Sequence, residues 1–293
     1  MEKLYKNKLT YCLFIFPALI VFLATVVLPI AWSCGYSLFD WNGIGEMEFI
    51  GIDNYVRMFT SDKVFRIAFK NNLIYVAINV VVQLTFGVLV ALLLTKIKKG
   101  ANFFKTLYFT PAVISSVAIC QVFQKILSME PMGLLNYLLI AIGRGDLARS
   151  WTADPHAVLS VVSLVEGYRY IGLYMVIIYS AFISISPDVI EAATIDGARG
   201  WSMFSKIKFP LIRRVFVVTL VMVANGTMRG FDIPYLLTRG GPSYRSELLA
   251  SYMYKTAFLT SKFGYASAMS VFIALECLVV VSLIRKAASL KEE

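Results

Sequence analysis

The sequence predicts an all-α membrane protein of six transmembrane helices with both termini in the cytoplasm. Three observations predict it. Of 293 residues, 58% are hydrophobic and only 16% charged, whereas soluble domains carry about 25% charged residues. Six apolar stretches approach the roughly 20 residues needed to cross about 30 Å of hydrocarbon. The lysines and arginines collect in alternate segments between those stretches.

In chain order, Tyr11–Trp32 and Leu73–Thr95 contain no charge. Thr106–Gln124 is also uncharged but polar at Ser115, Ser116 and Gln121. Ala157–Ile185 contains Glu166 and Arg169, and Phe263–Ile284 contains Glu276. Val215–Met228 is short and extends to about residues 211–232. The first stretch exceeds a signal peptide's apolar run and no small-x-small cleavage site follows it, so it reads as a retained helix. Cys12, Cys34, Cys120 and Cys277 have no metal-ligand or CxxC spacing and read as apolar filler. No cluster of metal-binding residue types stands out either.

The net charge is +10. Segments 1–10, 96–106, 186–214 and 285–293 hold fifteen Lys/Arg against six acids, and segments 33–72, 125–156 and 230–262 hold eleven against ten. The positive-inside rule puts the first set in the cytoplasm. A nucleic-acid binder would gather its basic residues on one surface, so the charge sets membrane orientation and no nucleic-acid partner is expected. The apolar run Leu134–Ile142 suits the membrane interface. No inverted repeat suggests a self-contained two-half carrier, and no Gly-x4-Gly-Lys-Ser/Thr marks a P-loop.

The 186–214 segment carries the most information. Ser186 suits an N-cap, Pro187 the first helical position, and Asp188 and Glu191 the positive helix end. Asp196-Gly197 is a helix stop, glycine supplying the left-handed backbone. A second short helix would align Trp201, Phe204 and Ile207 on one stripe before Pro210 starts the next span. An apolar face then lies on the cytoplasmic side, against the membrane or against a partner.

Glu191-Ala192-Ala193, Gly197, Ile207 and Pro210 stand at the spacing E-A-A-x3-G-x9-I-x-L-P. This resembles the EAA loop of ABC importer permeases, with Phe209 where that family prefers Leu. Phe49-Ile-Gly51-Ile-Asp53-Asn54-Tyr55 resembles the F-x-G-L-x-N-Y segment of the carbohydrate importer permeases. Leu237-Thr-Arg239-Gly-Gly-Pro242, with Gly264-Tyr-Ala-Ser-Ala268, is similar to their LTxGGP…GYASA stretch; Arg239 departs from the usual Gly or Asn.

The resemblance implies the type I ABC importer permease fold. It divides the chain into an N-terminal segment 1–68, a permease domain 69–285 and a tail 286–293. It also implies a second related permease subunit, two ATPase subunits below and an extracytoplasmic substrate-binding protein above, in a bacterial cytoplasmic membrane. The chain would need no cofactor of its own, ATP and Mg being bound by the ATPase. Glu191, Ala192, Ala193, Asp196, Gly197, Ile207 and Pro210 would form the coupling loop that docks in the ATPase.

Charges within spans mark candidate sites, because they are costly when unpaired. Glu166 and Arg169, three residues apart, either pair with each other or leave Arg169 lining a cavity with Tyr168 and Tyr170 or Tyr174. Asn225, Thr227, Arg229 and Asp232 cluster around Gly226 and Gly230 as a second candidate wall. Glu276 faces either the cavity or a partner subunit. His156 at a span edge reads as a solvated loop residue. The arginines, Arg239 included, leave room for an acidic sugar. Two other classes compete: a stand-alone carrier or channel, and an integral membrane enzyme using Glu166, Arg169 and Glu276. Neither explains the EAA spacing.

Overall fold

The computed structural model describes residues 8–97 and 99–289. The first seven residues of the 1–68 segment and the last four of the 286–293 tail lie outside the described residues. Two compact units are present. The first comprises residues 8–62 and Met253–Leu275, the second Lys63–Tyr252 and residues 276–289.

In the first unit, α1 (Lys8–Phe22) passes through a π-helical turn, Leu23–Val27, into α2 (Leu28–Tyr36). Pro29 explains the widening. A proline ring crowds the carbonyl four residues back, and immediately before it the Leu28 N–H bonds to the Leu23 carbonyl, five residues back. The apolar run Phe14–Tyr36 is unburied along its length, as suits a helix facing lipid or a partner. A hairpin pairs β1 (Phe39–Asp40) with β2 (Glu48–Phe49), Phe39 opposite Phe49, and α3 (Asp53–Thr60) follows. α13 (Leu249–Phe258) and α14 (Phe263–Ser289) each begin in one unit and end in the other.

The second unit is built on α4 (Lys63–Thr95), which begins ten residues before the charge-free run. α5 (Ala101–Val113) and α6 (Ser116–Leu127) replace the straight third span expected over 106–124, meeting at a 96° bend. Ile114 and Ser115 between them are extended (ψ 143° and 137°), and Pro111 has already removed one helical N–H. Then come α7 (Leu134–Ala141), a 3₁₀ turn at Gly145–Leu147, α8 (Val158–Ile183), α9 (Pro187–Ile195) and α10 (Gly200–Ser202).

A second π turn, Met203–Lys208, joins α10 to α11 (Phe209–Met228), and α12 (Asp232–Thr238) follows. The helix expected after Gly197 is therefore continuous with the next span, and that span ends at Met228, not near residue 232. The cause is the one seen at Pro29: just before Pro210, the Phe209 N–H bonds to the Phe204 carbonyl.

Among the described residues, four helices are long and apolar enough to cross a membrane, or five counting the bent pair. α11 stands outside that set, with Arg213 and Arg214 in its first turns, although its 20 residues span about 30 Å.

α4 and α8 form the central pair. Three apolar clusters follow them from end to end: one around Tyr75, Val162 and Leu248, one around Leu84, Tyr174 and Val223, and one around Ala91, Ile178 and Ile212. Gly172 lets α5 cross α8 closely, because a Cβ there would overlap the Tyr108 carbonyl.

Candidate functional site

Two constellations in the second unit carry chemistry. The first is the 186–210 loop. α9 starts after Ser186, whose backbone is extended, with Pro187 in the first turn. It stops at Gly197, whose φ of +84° is left-handed, with the Ala198 N–H bonded to the Ala193 carbonyl at 2.8 Å. Ala193 is buried against the π turn, whereas Glu191, Ala192, Asp196 and Gly197 are exposed. Ile195 and Trp201 stand 86% and 76% exposed, two large apolar side chains left mostly uncovered by the described residues. Trp201, Phe204, Phe209 and Phe216 meet in sequence in tilted and edge-on contacts, with ring centroids at 5.2, 5.7 and 5.1 Å. Phe209 thus continues an aromatic ladder from loop into span. Ile207 is half-buried and Pro210 exposed.

The second constellation is polar and lies among the helices. Arg169 does not pair with Glu166. Its Nη1 lies 3.8 Å from Asp232 Oδ2 at the start of α12, and Ser116 donates to the same oxygen at 2.8 Å. The guanidinium also lies over the Tyr170 ring at 5.0 Å. Glu166 is buried, with Arg169 and the Tyr75 hydroxyl as its polar neighbours. Tyr174 is buried with its hydroxyl 3.7 Å from where a Cβ of Gly226 would stand. Tyr168 is half-exposed and edge-on to Phe123.

The α11 candidates are dispersed. Thr227 is buried and its hydroxyl donates back to the Val223 carbonyl on its own helix. Arg229 is exposed and bonds the Asn225 carbonyl. The carboxyl oxygens of Glu276 are buried without a hydrogen-bond partner, as is Oδ1 of Asn72.

The sequence reading missed the polar stripe of α4. Asn72, Tyr75, Asn79 and Gln83 are fully buried at spacings of three and four, so they share one helix face. Asn79 donates to the Tyr75 carbonyl and Gln83 donates to Asn79 Oδ1, at 3.0 and 2.9 Å. Gln83 Oε1, Tyr75 Oη and Arg169 Nε remain unpartnered. The signal was the helical spacing of uncharged polar residues inside an apolar run, which averaged hydropathy conceals.

The other motif segments are structural. In the first unit, Asn54 donates to the carbonyls of Ser37 and Phe39 at 2.9 and 3.0 Å, and Tyr55 donates to Ser37 Oγ. Gly264 donates to the Trp41 carbonyl, and Tyr265 donates to Asp62 beneath the Arg57 guanidinium. In the second unit, Gly240 lies against the buried Glu247 carboxylate where no Cβ would fit, and exposed Arg239 before it is left-handed. On the 125–156 segment, buried Asn136 donates to the Ser128 and Arg149 carbonyls and accepts from Trp151. Asp154 accepts from the Arg149 guanidinium and the His156 backbone N–H, which hold its carboxyl below the usual carboxylate range.

Residues 83–288 match the family described as binding-protein-dependent transport system inner membrane component. The chain is 39% identical to a probable ABC transporter permease protein, YurN, of Bacillus subtilis, over 90% of this chain and 91% of that protein. It is 32% identical to the alpha-glucoside transport system permease protein AglF of Rhizobium meliloti, over 91% of this chain and 79% of that one. It is 30% identical to the lactose transport system permease protein LacF of Rhizobium radiobacter, over 90% and 88%. A crystal structure of a bacterial ABC transporter that imports the acidic polysaccharide alginate contains a chain of the same fold. Its TM-score is 0.83 at 23% identity, covering 98% of this chain and 97% of that one. With the match spanning most of its length, this chain belongs to the binding-protein-dependent transport system inner membrane components, the permease subunits of ABC transporters, and is a transport component rather than an enzyme.

Proposed function

We propose that this chain is one of two related permease subunits of an ATP-driven carbohydrate importer in the bacterial cytoplasmic membrane. It crosses the membrane six times, α11 supplying the span whose arginines sit at its cytoplasmic end, and keeps both termini inside. The observation that carries this reading is the 186–210 loop: a short helix, a left-handed glycine and an uncovered Ile195–Trp201 face, on the side the basic residues mark as cytoplasmic.

An ATP-driven importer subunit without a P-loop takes its energy from a partner, and this face has the exposed Ala192, Ile195 and Trp201 side chains that a helix-in-cleft contact uses. Glu191, Ala192, Asp196 and Gly197 would meet the ATPase, with Ala193 buried behind them. The continuous helix from α10 into α11 would carry the displacement into the bundle. ATP and Mg are held by that partner.

Above the loop, the partly exposed Tyr170 and the exposed Asp232, with Arg169 and Tyr174 behind them and the α4 stripe buried beneath, would offer phenols and one ion pair to a ligand. Such groups suit a hydroxyl-rich ligand, whose polar groups would replace water as hydrogen-bond partners. The relatives named for lactose and alpha-glucosides support the sugar class, and an extracytoplasmic binding protein would deliver it.

Affinity purification from native membranes tests the assembly. An ATPase and a second permease subunit should accompany the chain in fixed ratio, and the complex should hydrolyse ATP when given the binding protein and sugar. A chain that purifies as a lone oligomer and transports without ATP would overturn this reading in favour of a stand-alone carrier.

A further inference from the structure

A cavity of about 590 Å³ opens in the second unit where the first turns of α4 and the start of α8 meet the loop after α12. Lys70, His156 and Arg245 line it, and among the described residues none of the three is in an ion pair. Two cations beside a histidine in one half-enclosed space repel each other and favour an anion. The hydroxyls of Ser160 and Ser243 in the same wall add neutral donors.

The wall is built. Asn71, buried beside Lys70, donates to the carbonyls of Tyr244 and Glu247 at 2.9 and 3.0 Å. These bonds tie the loop to α4 although Ser243 and Tyr244 both carry positive φ, 48° and 64°. Two successive non-glycine residues in that region are strained, and strain of this kind gathers at binding sites. Across the cavity, Asp154 grips the His156 backbone N–H while paired with Arg149.

The lining also has a direction. Lys70 stands three residues outside the charge-free run that begins at Leu73, and His156 one residue outside the run that begins at Ala157. Both therefore sit at headgroup depth. Ile74 and Leu159, in the same wall, lie about one helical turn further into the membrane. The cavity is basic at the interface, with Ile67 and Pro155 at its outer rim, and apolar below.

We propose that this cavity binds an anionic phospholipid, its phosphodiester held by Lys70, Arg245 and His156 and its first acyl carbons lying over Ile74 and Leu159. The proposal rests on the membrane placement of α4 and α8 and not on the transported substrate. A soluble anion has no use for the apolar floor, and an acidic side chain of a docking protein would leave that floor uncovered.

The test is native mass spectrometry of the purified full-length chain in neutral detergent. Equimolar phosphatidylglycerol and phosphatidylcholine with identical acyl chains are offered, with glycerol 1-phosphate as the soluble headgroup. Wild type should retain phosphatidylglycerol preferentially. Each basic residue neutralised should reduce that preference about fivefold, so Lys70→Gln with Arg245→Gln should nearly abolish it. Lys70→Arg with Arg245→Lys should keep it, as should Arg144→Gln, which lies outside the cavity. Matching circular dichroism checks that each variant is folded.

Equal retention of both lipids by wild type would overturn the proposal. So would an undiminished preference in the double glutamine variant, or glycerol 1-phosphate displacing the lipid at equal concentration. If the glutamine variant instead loses capture of the binding protein with lipid retention unchanged, the cavity is a protein dock. Sugar uptake is not the readout, so failure of the importer assignment leaves this result standing.

Discussion

Arg169 finds its carboxylate not one turn away on its own helix but on another, where Asp232 Oδ2 lies 3.8 Å from its Nη1 and also accepts from Ser116. One aspartate thereby joins α8, the start of α12 and the start of α6, the helix that follows the bend. The arginine side chain is 11% exposed and the aspartate 56%, so solvent screens one partner and not the other. Asp232→Asn should therefore cost about 1–2 kcal/mol, less than a fully buried pair broken on one side. Ser116→Ala should cost about 1 kcal/mol. Thermal unfolding in detergent measures both, and a cost for Asp232→Asn no larger than for Ser116→Ala would show that the ion pair contributes nothing.

Gly197 is exposed, open on all sides and left-handed. An L-residue pays about 1–2 kcal/mol there, which α9 relieves by changing its exit from the docking face. Gly197→Asp should insert and express normally while losing ATPase association and uptake. Gly197→Asn, which tolerates the left-handed region better, should retain a larger share of both. Normal uptake by the aspartate variant in proteoliposomes would remove the coupling role.

The crossing of α5 over α8 is set by the missing side chain at Gly172. Gly172→Ala places a methyl into the Tyr108 carbonyl, a backbone atom that cannot rotate aside. Destabilisation at the upper end of about 1–3 kcal/mol is expected, with faster proteolysis at 96–106. Gly226→Ala, with only the Tyr174 hydroxyl 3.7 Å away, should be near neutral. Equal effects would contradict the close approach.

Asp154 gives the 125–156 segment an acid limit. Its carboxyl is held low by Arg149 and the His156 N–H, so it favours the folded state above the unfolded carboxylate value of about 3.9. That contribution is lost as pH falls through the lowered folded value. Between pH 5 and 3 the segment's amide protection should decline in wild type, and Asp154→Asn should start weaker and change less over that window. Parallel curves measured by hydrogen exchange would contradict this.

Long charge-free runs were legible because crossing lipid demands them, and the 186–210 loop because Pro187, Gly197 and Pro210 punctuate its short helices. The 96° bend was not legible: Pro111 lies shortly before it, but Ile114 and Ser115, which carry the extended backbone, look ordinary within an apolar run. Arg169 stood out as a charge inside a span, but its partner sits 63 positions away, beyond any local spacing rule. The α4 stripe was hidden for a different reason. Asn72, Asn79 and Gln83 carry no charge, and the surrounding valines and leucines outweigh them in any average, although their shared face is visible once the helix is drawn. Asn54 and Gly264 were noticed as motif residues, yet their role of tying backbone carbonyls to one another appears only in three dimensions.

The π turn at Met203–Lys208 makes the link between docking face and span a question of residue count as much as of side-chain chemistry. One residue of an α-helix corresponds to about 100° of rotation. Inserting a single residue into α11 beyond this turn, where no π turn absorbs it, would swing α9 and Trp201 by that angle relative to Val223. Every contact residue would still be present, facing the wrong direction. The segment therefore tolerates exchanges of similar side chains far better than any change in its length.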